Sequence, residues 1–250
     1  MCKRILYLIS ILCAVLVTSP ALRAETADPP AIQAKADQVL RQMADYLKSL
    51  EQFSFRAEST IEEVLSTGLK LQFAYTANIY VRRPSRLRAN GSGDRFNQQL
   101  FYDGKTVTLL DKGSNVYATI KAPGNIEEAL DYALEAFNLS APLSEIIYRN
   151  AYDILTEEVQ SGFYVGLSSI RGVKCHHLAF RQKEIDWQIW IEDSKTPVPR
   201  KFIITEKWVT GGPQFSSRID GWNASPRLKD SLFNFVAPKG AEMIEFLPAK

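Results

Sequence analysis

Residues 173–208 read as three extended runs joined by short polar turns, and the second and third of them carry apolar groups on both faces. In the second run Ile185, Trp187, Ile189 and Ile191 alternate with Asp186, Gln188 and Glu192, while Trp190 adds an aromatic ring to the otherwise polar side. The third run sets Phe202, Ile204 and Trp208 against Lys201, Ile203, Thr205 and Lys207. Strands that are apolar on two faces belong to a sheet that is covered on both. Function then depends on what covers the second face.

The rest of the chain supplies candidates. Ile32, Ala36, Val39, Leu40, Met43, Leu47 and Leu50 recur at helical spacing behind Asp28-Pro29-Pro30, which predicts one amphipathic helix to about Leu50. Extended runs follow at 53–65 and 69–82, around Ser66-Thr67-Gly68. Residues 87–90 lead into the turn-like Asn90-Gly91-Ser92-Gly93-Asp94. Runs at 96–102 and 105–111 flank the hairpin signal Asp103-Gly104, and 115–121 closes this half.

Helical spacing returns with Asn125 as cap and Glu128 in the reciprocal capping position. Ile126, Ala129, Leu130, Ala133, Leu134 and Phe137 form its stripe. A second short helix is expected over 142–150, capped by Ser140. Strands resume at 163 and run to 215–222, with short edge strands expected at 233–236 and 243–246. The fold class expected is α+β. It is a strongly curved antiparallel sheet with a long helix near the N-terminus and a helical pair inserted midway, all within residues 25–250 as one domain.

Residues 1–24 stand outside that domain. Lys3 and Arg4 precede an apolar run over 5–17, and small residues lead to Ala24, which is the layout of a secretory signal peptide cleaved after Ala24, with Ala21 as the alternative. The apolar run is short for a membrane span. Leu12 ahead of Cys13 is too large for lipoprotein processing. Cleavage removes Lys3, Arg4 and Arg23, three of the 30 basic groups, and leaves the balance against 28 acidic ones near neutral. Nucleic-acid binding through a general positive field is therefore not expected. Cys175 remains as the single cysteine, so no internal disulfide can form.

Covalent chemistry finds little support. Cys175, His176 and His177 suggest a metal, but alternation leaves only Cys175 and His177 on one side of a strand, and two ligands do not make a structural zinc site. No Gly-x-Ser-x-Gly elbow is present. Neighbouring acids such as Glu62-Glu63 diverge on a strand. Neither an enzymatic role nor a cofactor is expected. Arg82, Arg83, Arg86 and Arg88 form the densest basic cluster, read either as a solvated edge that discourages aggregation or as a contact for lipid headgroups or an acidic partner. Trp187, Trp190, Trp208 and Trp222 suit a core, with Trp190 the one placed to line a hollow.

At Ile79-Tyr-Val-Arg-Arg-Pro-Ser-Arg-Leu-Arg88, followed by Tyr102-Asp-Gly-Lys-Thr106, the chain resembles the LolA/LolB superfamily of periplasmic lipoprotein carriers. Cys175-His-His-Leu-Ala-Phe-Arg, Asp186-Trp-Gln-Ile-Trp-Ile and Phe233-Asn-Phe-Val-Ala-Pro-Lys-Gly240 are similar to a family of predicted periplasmic proteins within it. The resemblance implies a periplasmic, unclosed half-barrel whose concave face is apolar and covered by a mid-chain helical lid over 125–150. It also implies that the arginine before proline, here Arg83, helps hold that lid.

Together these expectations describe a non-catalytic, monomeric carrier or sensor for a lipid, a lipoprotein acyl chain or another apolar ligand. The residues expected at the ligand are Arg83, Ile185, Trp187, Ile189, Trp190, Ile204 and Trp208, with Leu130, Leu134 and Phe137 from the lid. The alternative is an envelope protein-interaction module with a filled core and a protein partner.

Overall fold

In the computed structural model, residues 31–122, 124–139 and 141–247 are described. The expected signal segment, the expected helix start at Asp28-Pro29-Pro30 and the expected cap at Ser140 lie outside them.

Helix α1 (Ala34–Ser49) buries Ala36, Val39, Leu40, Met43, Ala44 and Leu47 at three- and four-residue spacing. Leu40, Met43 and Leu47 are fully buried, and each such side chain contributes about 1.5–3 kcal/mol of transfer free energy. The chain enters α1 along the sheet edge. Gln33 N–H donates to Gly162 O at 2.9 Å, and Gly162 N–H donates to Ala31 O at 2.7 Å.

Six strands follow: β1 (Gln52–Val64), β2 (Lys70–Arg82), β3 (Arg86–Gly93), β4 (Asn97–Tyr102), β5 (Thr106–Asp111) and β6 (Val116–Lys121). Then come α2 (Ile126–Phe137), a 3-10 turn at Ser144–Ile146 and α3 (Ala151–Thr156). The second half holds β7 (Ser161–Ile170), β8 (Val173–Arg181), β9 (Ile185–Glu192), β10 (Pro199–Glu206), β11 (Gln214–Asn223) and the two-residue β12 (Glu242–Met243).

The twelve strands of the described residues form one sheet, in the order β12-β6-β5-β4-β3-β2-β1-β11-β10-β9-β8-β7. Every pairing is antiparallel except β12 with β6. Strands β7 and β12 end the order without pairing to each other, so the expected unclosed half-barrel is present. The face of β8–β10 that carries Leu178, Phe180, Trp187, Ile189 and Phe202 is buried in the main core together with α1. Helix α1 lies against this first face; on the second, the Trp190 ring is met by His177 and Lys201.

Three local expectations are corrected. Strand β3 runs on through Asn90-Gly91-Ser92 to Gly93, because Asn90, Gly91 and Ser92 pair opposite Gln99, Gln98 and Asn97. No helix spans 142–150; a 3-10 turn at Ser144–Ile146 stands there, and the α-helix begins only at Ala151. Residues 233–236 are not a strand. Arg82 donates to Leu228 O at 3.0 Å and Arg88 to Leu232 O at 3.2 Å, which holds this segment across the sheet as a strap. Phe233 is fully buried beneath it.

A candidate apolar binding site beneath the helical lid

The concave face of β1–β5 is built from small residues flanked by large ones. Ala57, Ala77 and Gly91 lie directly opposite one another across β1, β2 and β3. The neighbouring row is Phe55, Ile79, Ala89 and Leu100. Where the side chains stop at Cβ or before it, the floor leaves a hollow of about 340 Å³. A Cβ at Gly91 would stand 2.9 Å from the Phe96 ring, which lines the same hollow and would have to shift to admit it.

Leu130 from α2 roofs this space, with Ala141, Leu143 and Ile147 from the segment that follows. Ser59, Tyr75 and Gln98 are the polar side chains in the lining, and none of the lining residues is ionised at neutral pH. Burial pushes the Tyr75 phenol above its ordinary value, so it stays neutral. Such a lining can retain apolar groups by removing their area from water, and it provides few polar anchors.

Helix α2 is closed at both ends. Asn125 Oδ1 accepts from Glu128 N–H at 2.9 Å. Asn138, in the left-handed region at φ 55°, donates to Ala133 O and Leu134 O. Ile126 N–H donates to Pro84 O at 2.9 Å, which fixes the start of α2 beside the Arg83-Pro84 turn. Tyr148 donates to Asp131 at 2.7 Å, and Arg149 N–H to Glu127 at 2.9 Å, joining α2 to the rest of the roof.

Arg83 ties the roof to α1. Its Nη1 donates to Leu47 O at 3.0 Å and Leu50 O at 2.7 Å, and its Nη2 donates to Ile147 O. A cation against the last carbonyls of a helix also meets the negative end of the helix dipole. Desolvation, with the Arg149 charge adding to it, pulls the Arg83 guanidinium down to about 10, which leaves it charged at neutral pH.

The residues expected at the ligand are distributed as follows. Leu130 lines the hollow. Trp187 and Ile189 are buried in the core with α1, and Ile185 and Ile204 pack at its border. Trp190 lies on the opposite face, stacked on His177 with ring centroids 4.0 Å apart. Trp208 falls beyond the end of β10, is 71% exposed, and donates from Nε1 to Lys183 O at 3.0 Å. Leu134 is exposed, and Phe137 packs against Tyr132 and Phe246 rather than over the floor. The missed residues are Ala57, Ala77, Ala89 and Gly91. Their signal was smallness at positions whose spacing marks the apolar face.

The arginine cluster is drawn into contacts within the chain. Arg82 pairs with Asp230, Arg88 lies 3.9 Å over the Phe101 ring, and Arg83 is buried. His176 and His177 point to opposite faces. His176 bonds Tyr164 at 2.9 Å and His177 bonds Gln188 at 2.8 Å. Burial pushes the Cys175 thiol up to about 11. Among the described residues no group of three His, Cys, Asp or Glu could hold a metal ion.

Fold and hollow define a class: an open half-barrel with an apolar chamber beneath helices. The chain belongs to the family of predicted periplasmic proteins DUF2092, whose model matches residues 36–247. That description places it in the periplasm, the compartment expected from its N-terminal segment. Among curated proteins none matches it.

In fold it is similar to an uncharacterized conserved protein from Thermus thermophilus, at 10% identity and a TM-score of 0.52, covering 84% of this chain and 99% of that one. It is also similar to LprF from Mycobacterium bovis, at 14% identity and a TM-score of 0.50, covering 79% and 97%. A LolA superfamily protein from Nitrosomonas europaea matches at 9% identity and a TM-score of 0.38, covering 80% and 97%.

Proposed function

We propose that this periplasmic protein is a non-catalytic carrier or sensor, one unit from residue 25 onward, that holds an acyl chain or another apolar ligand beneath its lid. The observation that supports this reading is the 340 Å³ apolar hollow between the Ala57–Ala77–Gly91 floor and the roof at Leu130 and Leu143. A space of this size lies at the small end of ligand pockets, which run from about 300 to 1,000 Å³. It suits one slender chain. Apolar burial at about 25 cal/mol per Å² supplies the affinity, so no covalent step is needed. Arg83 keeps α1 and the roof together, and the roof lifts when the ligand enters.

Native mass spectrometry of protein extracted from its own compartment without detergent tests the reading. Co-purifying apolar mass, or uptake of a fluorescent fatty acid by the emptied protein, is the expected result. A ligand-free protein that takes up no such probe would end it. The envelope-interaction alternative rests on the exposed apolar side chains Phe163, Val165 and Leu167 along edge strand β7. It is favoured if a protein partner is captured from envelope extract and that capture is lost in Val165→Lys.

A further inference from the structure

A second, larger hollow of about 710 Å³ lies on the other side of the same strands. Alternation places it there. Glu58, Thr60 and Thr76 occupy positions between those that floor the apolar chamber. The pairing register lines up Lys201, Arg218, Glu58, Thr76 and Ser92 straight across β10, β11, β1, β2 and β3. The β7–β8 turn folds over this face and adds Ser169 and Arg171 to the wall.

The charges in this hollow do not balance. Glu58 receives Arg56 at 3.3 Å, Arg171 at 3.4 Å and also Arg218, so one carboxylate orders three guanidiniums. Arg171 also meets Asp220 at 3.5 Å. Lys201 Nζ lies 4.7 Å over the Trp190 ring, with no carboxylate within salt-bridge distance among the described residues. Arg218 Nε is buried without an acceptor. Arg171, Arg218 and Lys201 therefore face the hollow with a surplus of positive charge, and a recess with low-dielectric walls concentrates that field. Thr60, Thr76, Ser92, Ser169 and Ser216 add hydroxyls that can both donate and accept.

We infer that this back-face hollow binds an anionic polyol, a sugar carrying a phosphate or a carboxylate. Arg171, Arg218 and Lys201 take the acid group, and the threonine and serine hydroxyls take the sugar hydroxyls. Ser59 and Tyr75 border both hollows, but the site does not rest on the carrier reading.

Calorimetric titration of the mature chain with glucose 1-phosphate, glucuronate, inorganic phosphate and glucose tests it. At least one of the two sugar acids should bind with a dissociation constant of about 1 mM or lower. Phosphate and glucose each lack half of the contacts and should bind about tenfold more weakly. Which sugar acid binds distinguishes a phosphate-bearing from a carboxylate-bearing ligand. Tryptophan fluorescence should change on binding, because Lys201 sits on Trp190.

Lys201→Gln, which breaks no salt bridge, and Arg171→Gln should each weaken binding about tenfold at an unchanged melting temperature. A fluorescent fatty acid should not compete. The inference is overturned if neither sugar acid binds, if phosphate or glucose binds as tightly as the sugar acids, or if both variants bind like the parent. Failure of fatty-acid uptake alone leaves it intact.

Discussion

Arg83 Nη1 lies 2.7 Å from the carbonyl oxygen of Leu50, so the residue just past β2 closes the end of α1. The same guanidinium reaches Ile147 in the roof. Three elements distant in sequence thus share one buried cation that is held by carbonyls and has no carboxylate within salt-bridge distance among the described residues. Replacing Arg83 by Leu strands those carbonyls and should cost about 2–4 kcal/mol of stability in urea unfolding. Arg83→Lys, with fewer donors, should lose part of this. Release of a bound fluorescent fatty acid should quicken more than stability falls. Equal stability of Arg83→Leu and the parent would remove Arg83 from its tying role.

Filling the floor separates chamber from core. Ala77→Leu places added methylenes in space that Ile79 and Leu87 already border. Fatty-acid uptake should fall about tenfold or more, while the melting temperature holds or rises, since a void is being filled rather than a packed site strained. Unchanged uptake would remove the hollow as the ligand site.

The lid helix depends on its cap. Asn125→Ala removes the acceptor for Glu128 N–H and should cost about 1 kcal/mol. Hydrogen exchange should show the effect first in the amides of the first turn of α2.

Helix α1 is also held to α3 through charge. Asp37 takes Arg41 at 2.8 Å and accepts from Tyr152, and the Arg41 hydrogen bond holds its carboxyl below the ordinary 3.8. A carboxyl depressed in the folded state stabilises above its unfolded value, and that contribution is lost as pH falls through the folded one. Asp37→Asn should therefore cost about 0.5 kcal/mol at pH 7, and the difference from the parent should vanish on acidification below the ordinary carboxylate value. A difference that persists in acid would contradict the ionic origin.

Much of the sheet was legible because period-two burial is a local property. The alternation of Trp187, Ile189 and Ile191 marked the face that α1 covers, and the Asp103-Gly104 hairpin lies between β4 and β5. Phe233 and Phe235 show how the same signal misleads. Both rings are engaged, Phe233 in the interior and Phe235 against Phe101 and Tyr117, yet the backbone there is not in a strand, and just ahead of it arginines hold the carbonyls of Leu228 and Leu232.

The chamber was harder to read. Large apolar residues drew the expected site to β9 and β10, where they fill their own space. Volume is left where Ala57, Ala77 and Gly91 coincide, and that coincidence depends on the register between strands. Trp208 lost its expected face when β10 ended at Glu206.

The two margins of the sheet are each capped by a short segment. Past β6 the two-residue β12 pairs with Val116 and Tyr117, the opening residues of that strand. At the far margin, Ile32 and Gln33 cover only the opening residues of β7, and Val165 and Leu167 stay uncapped. Both margins are therefore capped only in part, and the uncapped stretch of β7 is the one that carries exposed apolar side chains, so pairing with another strand would bury Val165 and Leu167.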